Sequence, residues 1–204
     1  MSSISVVIFD LGKVIFDFDL HKFVSAFSKK TSKKGEDINK LIFEYGDLAA
    51  SLETGKINSF DFYERIAKSA GYAGSYNEFC VLWNDIFTPM AETVEVLAMA
   101  ARKNRLAVLS NTNDLHFEYL KSRYPRIFLL FSDFHLSYRM GARKPEDKIY
   151  QDVIKYYGIS PDRLFFTDDI QENVNAAVKH GIKAARFICA QDLLRDMRKE
   201  NIEI

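Results

Sequence analysis

Short apolar runs alternate with amphipathic stretches along most of the chain. Runs at 5–9, 106–109, 131–136, 164–166 and 184–188 have the length of buried strands, and from the second onward each is separated from the next by roughly one helix. In 114–123, Leu115, Tyr119 and Leu120 recur at helical spacing. In 145–157, Ile149, Tyr150, Val153, Ile154 and Tyr157 do the same, and Gly158 follows as a C-cap; 172–180 repeats the pattern before Gly181. Strands and helices in this alternation predict an α/β fold, an open parallel Rossmann-like sheet with helices on both faces.

From about 17 to 87 the alternation stops. Apolar residues there recur only at helical spacing: Phe23, Val24 and Phe27; Ile38, Leu41 and Ile42; Phe62, Ile66 and Ala67; Phe79, Leu82, Trp83 and Ile86. Lys34-Gly35, Thr54-Gly55, Gly71 and Gly74 punctuate them, which predicts about four short helices packed as an all-α bundle. Pro89 and a helix at 92–103 return the chain to the α/β pattern. The expected organisation is an α/β core of 1–16 and 89–204 carrying an inserted helical cap of 17–88. The length of 204 residues suits one domain with such an insert.

Ligands of open parallel sheets bind beyond the carboxyl ends of the strands. The polar residues that follow the predicted strands are Asp10, then Ser110-Asn111-Thr112, then Arg143-Lys144, then Asp168-Asp169. Taken singly, each has an ordinary structural explanation. An Asp after a strand serves a turn or cap, Ser-Asn-Thr caps a helix, Lys144 before Pro145 suits a surface helix start, and paired Asp favours a helix N-terminus. Taken together at neighbouring strand ends, three carboxylates repel one another unless a cation joins them. Oxygen ligands suit Mg²⁺, and Lys144 and Ser110 complete a clamp for a phosphoryl group, with Asp10 able to act as nucleophile.

Composition narrows the partners. Hydrophobic residues make up 48% and charged residues 27%, with formal net charge zero, so nucleic-acid binding is not expected; the Lys29, Lys30, Lys33, Lys34 cluster reads as a solvated loop. No apolar stretch reaches the roughly 18 residues of a membrane span, and no membrane association is expected. Two distant cysteines, Cys80 and Cys189, and no leader-like N-terminus suggest a cytoplasmic setting. Monomer and dimer both stay open.

Four strings, FDLGKVIFDFD, VLSNTNDLH, GARKPEDKIYQ and FFTDDIQENVNAA, in this order, resemble the four motifs of the haloacid dehalogenase-like hydrolases. The resemblance spans essentially the whole chain. With glycine as its third residue, the first motif is most similar to the bacterial α-D-glucose-1-phosphate phosphatase branch. The resemblance implies a Mg²⁺-dependent phosphatase of a small phosphorylated metabolite, such as a sugar 1-phosphate, working through an aspartyl-phosphate. It implies Asp10 as nucleophile and Mg²⁺ ligand, the Gly12 carbonyl and Asp169 as further ligands, and Asp168 acting through water. Ser110 and the Asn111 amide would bind phosphate, Lys144 would orient Asp10, and Asn173 would support the acidic loop.

Most phosphatases of this family carry Asp where this chain has Gly12, as the acid that protonates the leaving group. A general acid contributes typically ~10²–10⁴-fold, so its loss weakens catalysis without abolishing it. Three readings follow. The leaving group needs little protonation, as an anomeric sugar oxygen does; or another group substitutes, His116 being the titratable candidate, with Lys13, Asp17 and Asp19 also near; or the chain is a non-enzymatic phosphate-ligand or protein-binding module. Asp17 and Asp19 fit better as caps of the first helix of the insert. Dehalogenation is not expected, because Asp168-Asp169 beside Asp10 would be costly without a metal. Tyr45, Trp83 and Asn84 are candidate substrate contacts from the cap, while Phe62 and Phe79 belong to its core.

Overall fold

The structure is a computed structural model that describes residues 3–43 and 48–204; Tyr45 lies outside the described residues. In chain order the elements are β1 (Val6–Phe9), β2 (Phe16–Phe18), α1 (Leu20–Ser28), α2 (Gly35–Phe43), α3 (Leu48–Glu53), α4 (Ser59–Ala70), α5 (Tyr76–Asn84), β3 (Phe87–Pro89), α6 (Ala91–Ala100) and β4 (Arg105–Ser110). They continue with α7 (Asp114–Arg123), α8 (Pro125–Phe128), β5 (Asp133–Leu136), α9 (Ser137–Met140), α10 (Asp147–Tyr157), β6 (Leu164–Asp168), α11 (Gln171–Lys179), β7 (Lys183–Arg186) and α12 (Ala190–Lys199).

Five strands form a parallel sheet in the order β5-β4-β1-β6-β7. Strand β1 is central: Phe9 lies opposite Val108 on one side and Thr167 on the other. Alternate residues of the buried strands feed two separate cores. Val7, Phe9, Leu106, Val108 and Phe165 pack against α6, α7, α8 and α12. Val6, Ile8, Ala107, Leu109 and Phe166 pack against α10 and α11. Helices therefore cover both faces, and β1 and β4, buried on both, read as unbroken apolar runs. Among the described residues no helix is long and apolar enough to cross a membrane.

The segment between β1 and α6 builds a third core of its own. Phe23, Phe27, Phe62, Phe79 and Trp83 meet there in stacked and edge-to-face pairs. It is joined to the sheet by an antiparallel two-strand ribbon, β2 with β3, in which Phe16 faces Pro89 and Phe18 faces Phe87.

Several expected elements are corrected. The segment holds five described helices rather than four: α3 is six residues long, with only Leu48 and Leu52 buried, too short to show a period. The ribbon was not expected, because three-residue strands paired across the whole insert have no local signature. Strand β5 begins at Asp133, with Phe131 packed into the core ahead of it, and β7 ends at Arg186, leaving Ile188 exposed. Pro145 is not in the first turn of α10. It follows a cis Lys144–Pro145 bond in a turn closed by Glu146 N–H to the Arg143 carbonyl (2.8 Å), and the helix starts at Asp147.

Candidate active site

Asp10 leaves the centre of the sheet, its amide donating to the Thr167 carbonyl at 3.0 Å. Its Oδ1 accepts from the Leu11 amide at 2.8 Å and from Lys144 Nζ at 3.0 Å. Lys144 is 2% exposed, so the surface-cation explanation does not hold. Its ammonium also meets Asp168 Oδ2 at 2.5 Å and the Leu109 carbonyl at 2.9 Å. Asp168 is wholly buried and heavily committed: Oδ1 accepts from the Ile170 amide (2.8 Å) and Asn173 Nδ2 (3.0 Å), and Oδ2 from Lys144 and Asn173 (3.1 Å). Tyr150 fixes the far side of this loop by donating to the Asn173 carbonyl at 2.9 Å. Asp169 is less buried, and its carbonyl accepts from Arg186 at 2.9 Å.

Asp10, Asp168 and Asp169 each present an oxygen within 4.8 Å of the others. Burial raises the Asp10 pKa to about 6 against the pull of Lys144, with the Asp168 charge adding to the rise. Asp169 is raised by burial and then by Asp168. Burial opposes the charge of Lys144, but Asp10 and Asp168 outweigh it and hold its pKa above the ordinary value. One ammonium, paired with Asp10 and Asp168, thus serves a cluster of three carboxylates, a surplus of negative charge that an oxygen-seeking cation would relieve.

Ser110 ends β4 and is 2% exposed. The Asn111 amide group spans to the Lys144 backbone, accepting its N–H (2.8 Å) and donating to its carbonyl (2.9 Å), and so locks two strand-end loops together. Ser137 does the same for Thr112, accepting its N–H at 2.9 Å and donating to its carbonyl at 3.0 Å. Sequence reasoning passed over Ser137. The signal was present, since it is the first polar residue after β5. Arg143 does not join the cluster; it reaches the insert and pairs with Glu53 at 3.3 Å.

A cavity of about 190 Å³ lies between these strand ends and the insert. Gly12, Ser110 and Asn111 line it from the core, and Leu52, Trp83 and Ile86 from the insert. Phe18 and Phe87 of the ribbon complete the apolar wall. Asn84 borders a separate groove with Ser59 and Asp114. Asp19 caps α1 by accepting the His21 amide at 2.9 Å, and Asp17 pairs with Lys13; neither lines the cavity. His116 does line it, but both ring nitrogens are engaged. Nε2 donates to the Trp83 carbonyl (3.1 Å), Nδ1 accepts from Asn113 Nδ2 (3.1 Å), and the ring stacks on Trp83 at 5.0 Å. Burial lowers its pKa to about 4, so it is neutral at pH 7.

Known proteins resemble this chain over most of their length. A curated D-ribitol-5-phosphate phosphatase of Bacteroides thetaiotaomicron is 25% identical over 183 residues, 87% of this chain and 88% of that protein. A crystal structure of a haloacid dehalogenase family enzyme from Bacteroides thetaiotaomicron, in complex with magnesium and inorganic phosphate, superposes with a TM-score of 0.82 at 26% identity, covering 90% of this chain and 94% of that one. The L-2-haloacid dehalogenase of Xanthobacter autotrophicus shares the fold at a TM-score of 0.64 and 19% identity, over 98% of this chain and 85% of its own, so the fold alone does not decide the chemistry. The profile of the haloacid dehalogenase-like hydrolases matches residues 4–181. By that match, the chain belongs to the haloacid dehalogenase-like hydrolase family.

Proposed function

We propose that the protein is a Mg²⁺-dependent phosphatase of small phosphorylated metabolites that forms a phospho-enzyme on Asp10. The observation that carries this is the convergence of Asp10, Asp168 and Asp169 within 4.8 Å of one another, with one buried lysine paired to the first two. The similarity to a D-ribitol-5-phosphate phosphatase and to an enzyme crystallised with magnesium and phosphate supports it. An all-oxygen donor set fits Mg²⁺. Asp168 already takes four hydrogen bonds, so Asp10, Asp169 and the Gly12 carbonyl would hold the ion directly and Asp168 at one remove. When bound, Mg²⁺ would offset the carboxylate charge and polarise the phosphoryl oxygens.

Oδ1 of Asp10 is tied to Leu11 and Lys144, which leaves Oδ2 as the nucleophile. It attacks phosphorus as the bond to the leaving oxygen breaks, and the leaving group departs with the bonding pair. Water then attacks phosphorus, freeing the carboxylate and inorganic phosphate. The Ser110 hydroxyl and the Asn111 backbone N–H donate to the phosphoryl oxygens, while Lys144 fixes Asp10 and offsets developing charge. His116 holds Trp83 against the core and is a positioning residue, not the substitute acid, because its nitrogens are committed and its ring is neutral. With no side chain at Gly12 to protonate the leaving oxygen, the preferred esters are those of weakly basic oxygens. Sugar 1-phosphates are the first such class, with residues 17–88 closing over them as a cap.

A phosphate-release screen tests this. The expected result is Mg²⁺-dependent turnover, faster for sugar 1-phosphates than for the same sugars phosphorylated on a primary hydroxyl, and lost in Asp10→Asn. If no ester turns over with Mg²⁺, an aryl phosphate included, the protein is instead a phosphate-ligand or protein-binding module, the reading that Gly12 alone favours.

A further inference from the structure

We infer that Phe18 preserves the leaving-group restriction that Gly12 creates, because its ring lies against the space that a side chain at position 12 would enter. The inference rests on the phosphatase reading above and assigns a role to a residue that does not touch the carboxylate cluster. A Cβ built on Gly12 would lie 3.0 Å from Cε1 and 3.5 Å from Cδ1 of Phe18, and among the described residues nothing else beyond its chain neighbours comes within 4 Å. Gly12 does not adopt the left-handed backbone that reserves a site for glycine, in contrast with Gly55, Gly71, Gly141, Gly158 and Gly181. The backbone would therefore accept a side chain, and the aromatic ring is the obstacle. Residues 12 and 18 act as a coupled pair.

The ring is held in place by Phe87 and Lys13. The ribbon register sets Phe18 opposite Phe87, and the two rings meet edge to face at 6.0 Å. Lys13 Nζ lies 4.8 Å from the ring centroid and donates to the Phe18 carbonyl at 2.9 Å. Lys13 is itself tethered to Asp17. Phe18 and Gly12 both line the cavity beside Ser110, so the ring faces the side from which a leaving group departs. The nearby polar groups are engaged: Asn113 and His116 bond each other, His116 bonds Trp83, and Glu53 pairs with Arg143. A leaving group in this chamber meets hydrocarbon where an acid would otherwise stand. It departs as its own anion, with the bonding electron pair, and collects its proton from water.

The test is a double-mutant cycle on G12D, F18A and G12D/F18A, with saturating Mg²⁺. The probes are phenyl phosphates with graded ring substituents and glycerol 3-phosphate as an alkyl ester. Wild type and F18A should both lose rate steeply as the leaving group becomes more basic, and F18A should also show a several-fold higher KM for the phenyl esters. G12D should remain steep, because its carboxyl meets the ring. G12D/F18A should flatten the dependence and raise kcat for glycerol 3-phosphate at least about 10-fold over F18A, within the range of a general acid. G12D/F18L serves if the alanine variant folds poorly. A second readout needs no activity: G12A should lower the melting temperature with Phe18 present and not with F18A. If G12D alone flattens the dependence as fully as the double variant, or G12A melts alike in both backgrounds, the inference is overturned. Absence of Mg²⁺-dependent turnover of any ester by wild type overturns the phosphatase reading itself.

Discussion

Acid should loosen the insert from the core through His116. At neutral pH its Nδ1 accepts from Asn113 Nδ2 while Nε2 donates to the Trp83 carbonyl. A proton added to Nδ1 turns that acceptor into a donor facing an NH₂ group. Asn113 cannot turn over to relieve this without cost, because its Oδ1 accepts the His116 amide at 3.0 Å. Burial brings the ring from an ordinary 6.5 down to about 4. The folded state thus binds the proton less tightly than the unfolded chain. Its contribution to stability is complete above about pH 6.5, falls as pH drops, and levels off below about 4. At about 1.4 kcal/mol per pKa unit the full effect is roughly 3 kcal/mol, and about 2 of it falls between pH 7 and pH 5. The ring keeps some surface open to the cavity, which trims this to about 1–2 kcal/mol, or roughly 2–8 °C in melting temperature for a chain of this size. Asp10 works in the opposite sense, since its raised pKa costs stability as pH rises from 3.8 through about 6. The informative quantity is therefore the difference between wild type and His116→Gln in urea denaturation at pH 5 and pH 7, where Asp10 cancels. A difference that does not change with pH, or an NMR titration of His116 at 6.5 or above, refutes the reasoning. The pH profile of kcat/KM should be alike in the two proteins; losing a limb in His116→Gln would restore His116 as the acid.

Two further outcomes follow from the geometry. Lys144→Met leaves Asp10 and Asp168 without their shared ammonium, which should abolish turnover and cost about 3–5 kcal/mol of stability in urea denaturation. Mg²⁺ should then raise the melting temperature of this variant more than that of wild type, and an unchanged metal-free stability would show that the lysine does not balance the cluster. Gly55, at φ +68°, would carry a Cβ only 2.3 Å from the Tyr138 carbonyl oxygen, where the turn after α3 rests on α9. Gly55→Ala should raise KM more than it lowers kcat, with a loss of about 1–3 kcal/mol by denaturation; unchanged values would mean the insert does not lean on Tyr138.

What could be read in advance depended on how local its cause was. Helix α7 was legible within its bounds from Leu115, Tyr119 and Leu120, and its ends are fixed by Asn113, which accepts the His116 amide, and by Lys121 and Arg123 in the last turn. The central strands were legible because burial on both faces leaves no polar interruption. Helix α3 and the ribbon were not, since one depends on packing around two leucines and the other on pairing across the insert. Reading the first polar residues after each strand named Asp10, Ser110, Lys144, Asp168 and Asp169. The same rule placed Arg143 where the structure instead turns it to Glu53, and it skipped Ser137. Phe18 could not have been found this way. Its significance is a distance to Gly12, and the loop that sets that distance closes through Leu11, whose carbonyl accepts from both Ile15 and Phe16 at 2.9 Å.

The ribbon also changes how the insert counts in the economy of the fold. Beyond β2 and β3, the Asp19 amide donates to the Ile86 carbonyl at 3.0 Å, so the chain departs and returns through neighbouring points. Seen from the sheet, everything between is the loop of a single hairpin. The entropy of closing such a loop grows only logarithmically with its length. Whole helices can therefore be gained, lost or exchanged there with little penalty to the core that holds Asp10, Lys144 and Asp168. Phe18 belongs to the hairpin's stem and Trp83 to its loop. On the proposed phosphatase reading, descendants of this chain would change the metabolite they hold sooner than the kind of oxygen they can release.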